Sequence, residues 1–178
     1  MAGFFTSCQN IGEDFLDAPA KSTLEESIIF STPGLTEGVV DGIKERMGQT
    51  NSYRGRYIPF YGFNTDTEWN YNSDKVGDAV GDLCVYDAKP TNTYMDRDNN
   101  AWAMMFSGIE RANICIKGIR AYGNPEPGNE MGQLLGEAIA LRSIYYADLV
   151  KAWGDVPARF TPITSDSIFI AKSSRDVI

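Results

Sequence analysis

The most regular feature of the chain is a pair of long amphipathic segments in its second half. Apolar residues recur every three or four positions over residues 102–119 and again over residues 131–153. This spacing places the apolar side chains on one face of an α-helix. The stretch 121–128 between them contains two prolines and two glycines. The two segments are therefore predicted to form an antiparallel helix hairpin.

Local residues also predict where these and the earlier helices begin. The first long helix is expected to start near Asp96 or Asp98, and the second near Asn129, because acidic and amide side chains favour helix starts. Upstream, residues 22–25 match a capping box that begins a short helix. We expect Pro33-Gly34 to break that helix and a second one to run from Thr36 to Gly48.

Residues 51–100 show no sustained hydrophobic period. They are rich in Gly, Asn, Asp and Tyr, and we predict a long ordered loop with one or two short strands. The segment is too aromatic for a disordered one, and long loops in compact domains are usually functional. The predicted fold class is all-α, with tetratricopeptide-like helix pairs and this long irregular loop insertion. There is no clear 34-residue internal repeat.

The two ends of the chain differ from the rest. Residues 1–21 read as a tail and linker in which Cys8 follows an apolar residue and two small polar ones, as a bacterial lipidation site does. Seven residues before it are fewer than a secretion signal needs, so an ordinary tail thiol is the other interpretation. Residues 173–178 read as a helix cap and a first turn. A single turn is not stable alone, so we expect the natural chain to continue.

Composition narrows the classes of function. The 178 residues carry 24 acidic and 16 basic side chains, a formal charge of −8, and no histidine. The acidic balance argues against a nucleic-acid partner, because phosphates are bound by clustered Lys and Arg. The lack of histidine removes Ser-His and Cys-His nucleophile pairs and most zinc sites. No cofactor or metal is predicted, and Cys84 and Cys115 are expected to be buried, inert thiols.

The candidate ligand site lies in the irregular loop. Residues 51–102 hold seven of the 11 asparagines and ten of the 21 aromatic residues. Sugars offer an apolar C–H face and a rim of hydroxyls, which aromatic rings and short amides or carboxylates complement. In an extended chain, the polar side chains of residues 64–74 would share one face and the two aromatic ones the other. The predicted ligand-binding residues are Trp69, Asn70, Tyr71, Asp66, Asn64 and Glu68.

Three other interpretations of the loop stay open. Its aromatics could simply attach the loop to the helices. Its carboxylates could bind calcium, although neither 66–70 nor 96–100 has the glycine and closing glutamate of an EF-hand. Asp66 and Glu68 could be close enough for a glycosidase pair, although most acid pairs in an acidic loop would be.

The second long helix carries a recognisable motif. Residues 136–157 read Gly-Glu-Ala, then Leu-Arg, Tyr-Tyr and Leu-Val pairs, and close on Gly-Asp-Val-Pro. This resembles the signature helix of the SusD/RagB family. Residues 102–113, with a Trp, an Ile and an Arg-Ala-Asn group, resemble the segment that precedes it in that family. Cys8, followed by Phe15-Leu16-Asp17 and Pro19, resembles the family's lipidated N-terminus.

The resemblance implies a function without catalysis. Members are outer-membrane, cell-surface lipoproteins that bind glycans or other nutrients and cap a SusC-type TonB-dependent transporter. The chain would then be the N-terminal part of such a protein, with residues 22–178 in the helical domain, its C-terminal part absent, and the membrane reached through the lipid anchor only. The family also places a sugar-stacking aromatic in a loop after a Thr-Asp-Glu stretch, which residues 65–69 resemble. A protein-binding repeat adaptor and, less strongly, a secreted glycosidase are the alternative functions.

The signature residues themselves are expected to support the scaffold and not to touch ligand. Arg142 stands in an otherwise apolar helix face, so a carboxylate partner is predicted for it. Glu137 and Asp148 are the candidate partners.

Overall fold

The computed structural model describes residues 24–63, 65–75, 77–89, 91–96, 99–164 and 171–178. It is 62% helical with 3% strand, which confirms the predicted all-α class. The predicted tail 1–21 with Cys8, and the first two capping-box residues Ser22 and Thr23, lie outside the described residues. The α-helices are α1 Glu26–Ser31, α2 Pro33–Gly48, α3 Ile58–Gly62, α4 Ala79–Cys84, α5 Ala101–Tyr122 and α6 Glu130–Trp153.

The boundary between α1 and α2 differs from the prediction. α1 ends at Ser31, but α2 begins at Pro33 and not at Thr36. Proline is favoured at the first position of a helix, where its missing N–H costs no hydrogen bond. Thr36 is instead buried in the first turn of α2, where its Oγ1 donates to the Ile29 carbonyl at 2.8 Å. Pro33 therefore separates the two helices by starting the second.

The predicted hairpin of α5 and α6 is confirmed. Near one end the rings of Trp102 and Trp153 lie 5.4 Å apart. At the other, Met131 packs beside Gly123, so the helices run in opposite directions. Asn129 caps α6 as predicted, because its Oδ1 accepts from the Gly132 N–H.

The predicted start of α5 at Asp96 or Asp98 is wrong. Asp98 lies outside the described residues, Asp96 lies in a bend, and the helix begins at Ala101. Asn99 has φ 61°, a left-handed conformation that no α-helix can continue through. The helix therefore starts only after this residue.

Two glycines of α5 let neighbouring elements approach closely. A Cβ at Gly108 would lie 2.3 Å from Cζ of Tyr145, and a Cβ at Gly118 would lie 2.2 Å from the Phe30 ring. Tyr145 is fully buried and its hydroxyl donates to the Ile43 carbonyl at 2.8 Å. The aromatic ring of α6 thus crosses α5 and reaches α2, which places α5 in the centre of the core.

The described part of the long insertion contains helices and not the predicted strands. Residues Thr50–Tyr57 form a π-helical segment, kinked at Ser52, that leads into α3, and α4 follows after residue 78. Pro59 stands in the first turn of α3, and the Asp78 side chain accepts from the N–H groups of Val80 and Gly81 to cap α4. These local start signals favour helical turns. In the described part of the chain, strands occur only after α6: β1 Val156–Pro157 pairs antiparallel with β2 Lys172–Ser173.

The predicted carboxylate partner of Arg142 is wrong. Its Nη1 donates to Oδ1 of Asn113 at 2.8 Å and to the Phe160 carbonyl at 3.1 Å, and its guanidinium lies over the Phe160 ring. Glu137 instead pairs with Lys44 at 2.6 Å. Among the described residues, the acceptors of this guanidinium are therefore a buried amide and a backbone carbonyl, and no carboxylate.

The predictions for two of the thiols and for the end of the chain are confirmed. Cys84 and Cys115 are free, buried thiols, and burial raises the pKa of Cys115 to about 11. The predicted cap at the end of the chain is present, because Ser174 Oγ accepts from the Asp176 N–H at the start of a 3-10 turn, Arg175–Val177. Within the described ranges, no helix combines the length and apolarity that a bilayer crossing requires.

Candidate functional site

The insertion, residues 51–100, is fastened to α6 by two tyrosines of its π-helical segment. Tyr53 donates to Oδ2 of Asp148 at 2.8 Å, and Tyr57 donates to the Asp148 backbone carbonyl at 2.9 Å. The Tyr53 ring also packs edge-on against Tyr145. Burial, and then the hydrogen bond to Asp148, raise the pKa of Tyr53 well above its ordinary value. Its hydroxyl therefore stays a neutral donor to the carboxylate.

A second set of contacts closes the insertion on itself. The Arg56 guanidinium lies 4.0 Å from the centre of the Tyr94 ring, and its Nε donates to Oδ1 of Asn100 at 3.1 Å. Asn92, which is buried, donates to the Ala79 carbonyl at 3.0 Å. These contacts join the beginning, middle and end of the insertion. For Tyr53, Tyr57 and Tyr94, the structure therefore shows contacts that hold the insertion in place.

The two most exposed aromatics that the structure describes in the insertion have the opposite environment. Trp69 is 71% exposed and Tyr71 is 69% exposed, whereas Tyr57 is 3% exposed. Exposed large aromatics cost hydrophobic free energy, so a pair of them two residues apart is an informative exception. They lie in residues 65–75, which we call the rim segment.

Hydrogen bonds at the start of the rim segment shape a turn. The Glu68 N–H donates to Oγ1 of Thr65 at 3.1 Å, and the Thr65 N–H donates to the Glu68 carbonyl at 3.1 Å. Thr65 Oγ1 also donates to the Gly62 carbonyl at the end of α3. The turn thereby holds the backbone immediately before Trp69, which lowers the entropy lost when a ligand contacts the ring.

The second half of the rim segment is an Asx turn. The Asn72 N–H donates to Oδ1 of Asn70 at 2.9 Å, and the Ser73 N–H donates to the Asn70 carbonyl. Tyr71 occupies the exposed position of this turn. Asn70 therefore shapes the backbone with its oxygen and keeps its amide nitrogen as the group that it can offer to a ligand.

Lys75 is a rim residue that sequence reasoning missed. Its Nζ lies 5.2 Å from the centre of the Tyr71 ring and donates to Oδ1 of Asn72 at 2.7 Å. The ammonium group steadies the ring and adds a donor beside it. A Tyr followed four residues later by a Lys was the available signal, but in an irregular segment that spacing does not specify a contact.

The acidic members of the predicted site are exposed. Asp66 and Glu68 both face solvent, and the Glu68 carboxylate lies beside Gly62. The alternation expected of an extended chain does not occur, because bends at 65–67 and a turn at 71–74 interrupt it. Asn64 lies outside the described residues. The structure thus places five of the six predicted residues on one turn-rich segment.

Across the described residues, there is no group of three or more His, Cys, Asp and Glu side chains that could hold a metal ion. What the rim segment presents is two aromatic faces, three carboxylates, two amides and an ammonium group. Such a surface is suited to stacking and hydrogen bonding.

The fold and this segment together define an all-α protein whose irregular insertion displays fixed, exposed aromatic rings. Residues 14–176 match the model of a SusD-like family described as "Starch-binding associating with outer membrane". The chain belongs to this family, whose members are binding proteins associated with the outer membrane. No curated protein and no solved structure matches the chain significantly.

Proposed function

We propose that this protein binds glycan at the outer face of the outer membrane through its rim segment, without chemical turnover. The observation that carries the proposal is the pair Trp69 and Tyr71, about 70% exposed on hydrogen-bonded turns of a chain from a starch-binding family. The C–H face of a sugar ring stacks on these rings. The carboxylates of Asp66 and Glu68 accept hydrogen bonds from the sugar hydroxyls, and the Asn70 amide nitrogen donates one to them.

Further components of the proposal concern the membrane and a partner. Cys8 carries the lipid anchor, and the bound glycan passes to a SusC-type TonB-dependent transporter. The family's association with the outer membrane supports both components. The acidic pair needs no catalytic role, because a stacking site requires only carboxylate acceptors beside the rings.

Isothermal titration calorimetry tests the ligand part. The chain is titrated with maltoheptaose and then with xylan-, mannan- and β-glucan-derived oligosaccharides, because the family name covers starch but not the particular ligand. Trp69→Ala is expected to lose about 1–3 kcal/mol of binding free energy, by analogy with the stacking of nucleic-acid bases on aromatic side chains. This corresponds to roughly 5- to 150-fold weaker binding.

Tyr122→Ala supplies the matched control, because Tyr122 is an aromatic residue of α5 that is 45% exposed and lies outside the insertion. Its affinity for the same glycan should equal that of the wild type. If no glycan gives heat, or if Trp69→Ala binds as tightly as Tyr122→Ala, the rim is not the site. The adaptor alternative predicts this second result.

A further inference from the structure

A concave surface lies far along the chain from the rim segment. It is a groove of about 600 Å³ between the C-terminal half of α5 and the segment 160–164. That volume is in the range of ligand and peptide pockets. Its walls are mostly apolar, and two cations stand at its edge. The residues concerned are Ile116, Ala121, Phe160, Pro162, Lys117 and Arg120.

The charge of this groove is unusual for the chain. Lys117 and Arg120 are exposed, and no ion pair with another described residue engages them, while the whole chain carries a charge of −8. Lys117 and Arg120 therefore border an apolar depression, and the complementary occupant is apolar and acidic.

The chain itself contains such a segment. Residues 13–17 read Glu-Asp-Phe-Leu-Asp, two apolar side chains flanked by three carboxylates. Neither the glycan site nor the helical core of the described residues uses them. We propose that residues 13–17 dock in the groove, with Phe15 and Leu16 against its apolar walls and the carboxylates near Lys117 and Arg120.

The reach of the chain allows this arrangement. The described residues begin at Leu24 and enter α1, whose Phe30 packs on Gly118, next to Lys117 of the groove. Helix α1 is six residues long, about 9 Å. The seven residues from Asp17 to Leu24 span up to about 23 Å when extended. The groove therefore lies within the radius that this tail can cover.

Docking would give the tail a function in orientation. The segment 13–17 follows Cys8 by only a few residues, so a docked tail fixes which face of the helical domain turns toward an anchored Cys8. A free linker of the same length would leave that orientation undefined. The rim segment does not line the groove, so its glycan affinity should not change when the tail is released.

Disulfide trapping in the full-length chain tests the proposal. Leu16→Cys is combined with Ala121→Cys in a Cys8→Ser background, where Cys84 and Cys115 are buried and do not compete. The control pair replaces Ala121→Cys by Ala140→Cys, another exposed helical alanine, which does not line the groove. Intramolecular crosslinking of the first pair is expected to be at least about tenfold faster.

Charge reversal separates docking from chance encounter. Lys117→Glu with Arg120→Glu should slow the crosslink about tenfold, and adding Asp14→Lys with Asp17→Lys should restore it. Equal rates for the two cysteine pairs, rates that ignore the charges, or crosslinks that form only between two chains would overturn the proposal. Thermal melts of each variant verify that the exposed substitutions leave the fold intact.

Discussion

Gly108 shows how a single missing side chain sets the geometry of the core. The Tyr145 ring occupies the space that a Cβ at this position would need, and its hydroxyl reaches across α5 to α2. A sequence pattern cannot reveal this arrangement, because a glycine within a helical stretch reads only as a weak helix former. The need for glycine arises from the ring that another helix places there.

Gly108→Ala is therefore expected to destabilise the protein by about 1–3 kcal/mol, the range seen for overpacked cores. The gain of up to about 1 kcal/mol in helix propensity does not offset this cost. Gly136→Ala in α6 is the matched control, because nothing lies within 4 Å of a Cβ there. It should be neutral or stabilising by up to about 1 kcal/mol. Denaturant unfolding measures both, and equal effects of the two substitutions would contradict the packing described.

Arg142 illustrates the limit of residue-level reasoning about buried charge. The sequence correctly indicates that this cation needs partners within the fold. It does not reveal that Asn113, 29 residues earlier, supplies the acceptor, or that the chain after α6 returns to offer the Phe160 carbonyl. Carboxylates close in sequence were the natural candidates, but the tertiary fold brings different groups to the guanidinium.

Among the elements, the long helices could be predicted and the insertion could not. Sustained periodicity and an Asn cap predict α6 to within one residue at its start. The insertion has no period, and its helical turns depend on local signals such as Asp78 and Pro59 that are too short to stand out. The division of its aromatics is also invisible in sequence, since Tyr53 and Trp69 belong to the same aromatic-rich stretch but one is held by Asp148 and the other faces solvent.

The attachment of the insertion to α6 gives a prediction at this scale. Tyr53→Phe removes the donor to Asp148, a half-buried carboxylate whose other contact is the exposed Lys151. Hydrogen bonds to charged groups contribute about 1.5–3 kcal/mol to stability, so the free energy of unfolding is expected to fall by an amount in that range. Amide hydrogen exchange over residues 50–62 should accelerate with it.

Tyr86→Phe is the control for the same chemical change. The Tyr86 hydroxyl donates to the Phe63 carbonyl at 2.9 Å on the exposed side of the insertion, where the net value of a hydrogen bond is smaller. Its loss should leave exchange over residues 50–62 unchanged. Faster exchange in Tyr86→Phe than in Tyr53→Phe would show that Asp148 does not hold the insertion.

In the whole molecule, the helical scaffold provides a stable frame and the insertion provides the candidate ligand-binding surface. The scaffold packs aromatic rings between α5 and α6, as in the Trp102–Trp153 contact. The insertion is fastened by tyrosines, and the two rings that it exposes most among the described residues are those of Trp69 and Tyr71. The family match over residues 14–176 agrees with this division, because a starch-binding protein needs a stable frame and an exposed stacking surface.

This division makes the intrinsic fluorescence of the protein the most direct test of the central claim, that glycan stacks on Trp69. Of the three tryptophans, Trp102 and Trp153 pack on each other and are half-buried, whereas Trp69 is 71% exposed. Acrylamide should therefore quench Trp69 most, and a bound oligosaccharide should protect it.

The measurement compares the wild-type chain with Trp69→Phe while either is titrated with the oligosaccharide that gives the largest calorimetric heat. We expect a saturable change in wild-type emission, reduced acrylamide quenching at saturation, and neither effect in Trp69→Phe. Saturable binding that leaves the quenching of Trp69 unchanged, or the same emission change in both chains, would contradict the account.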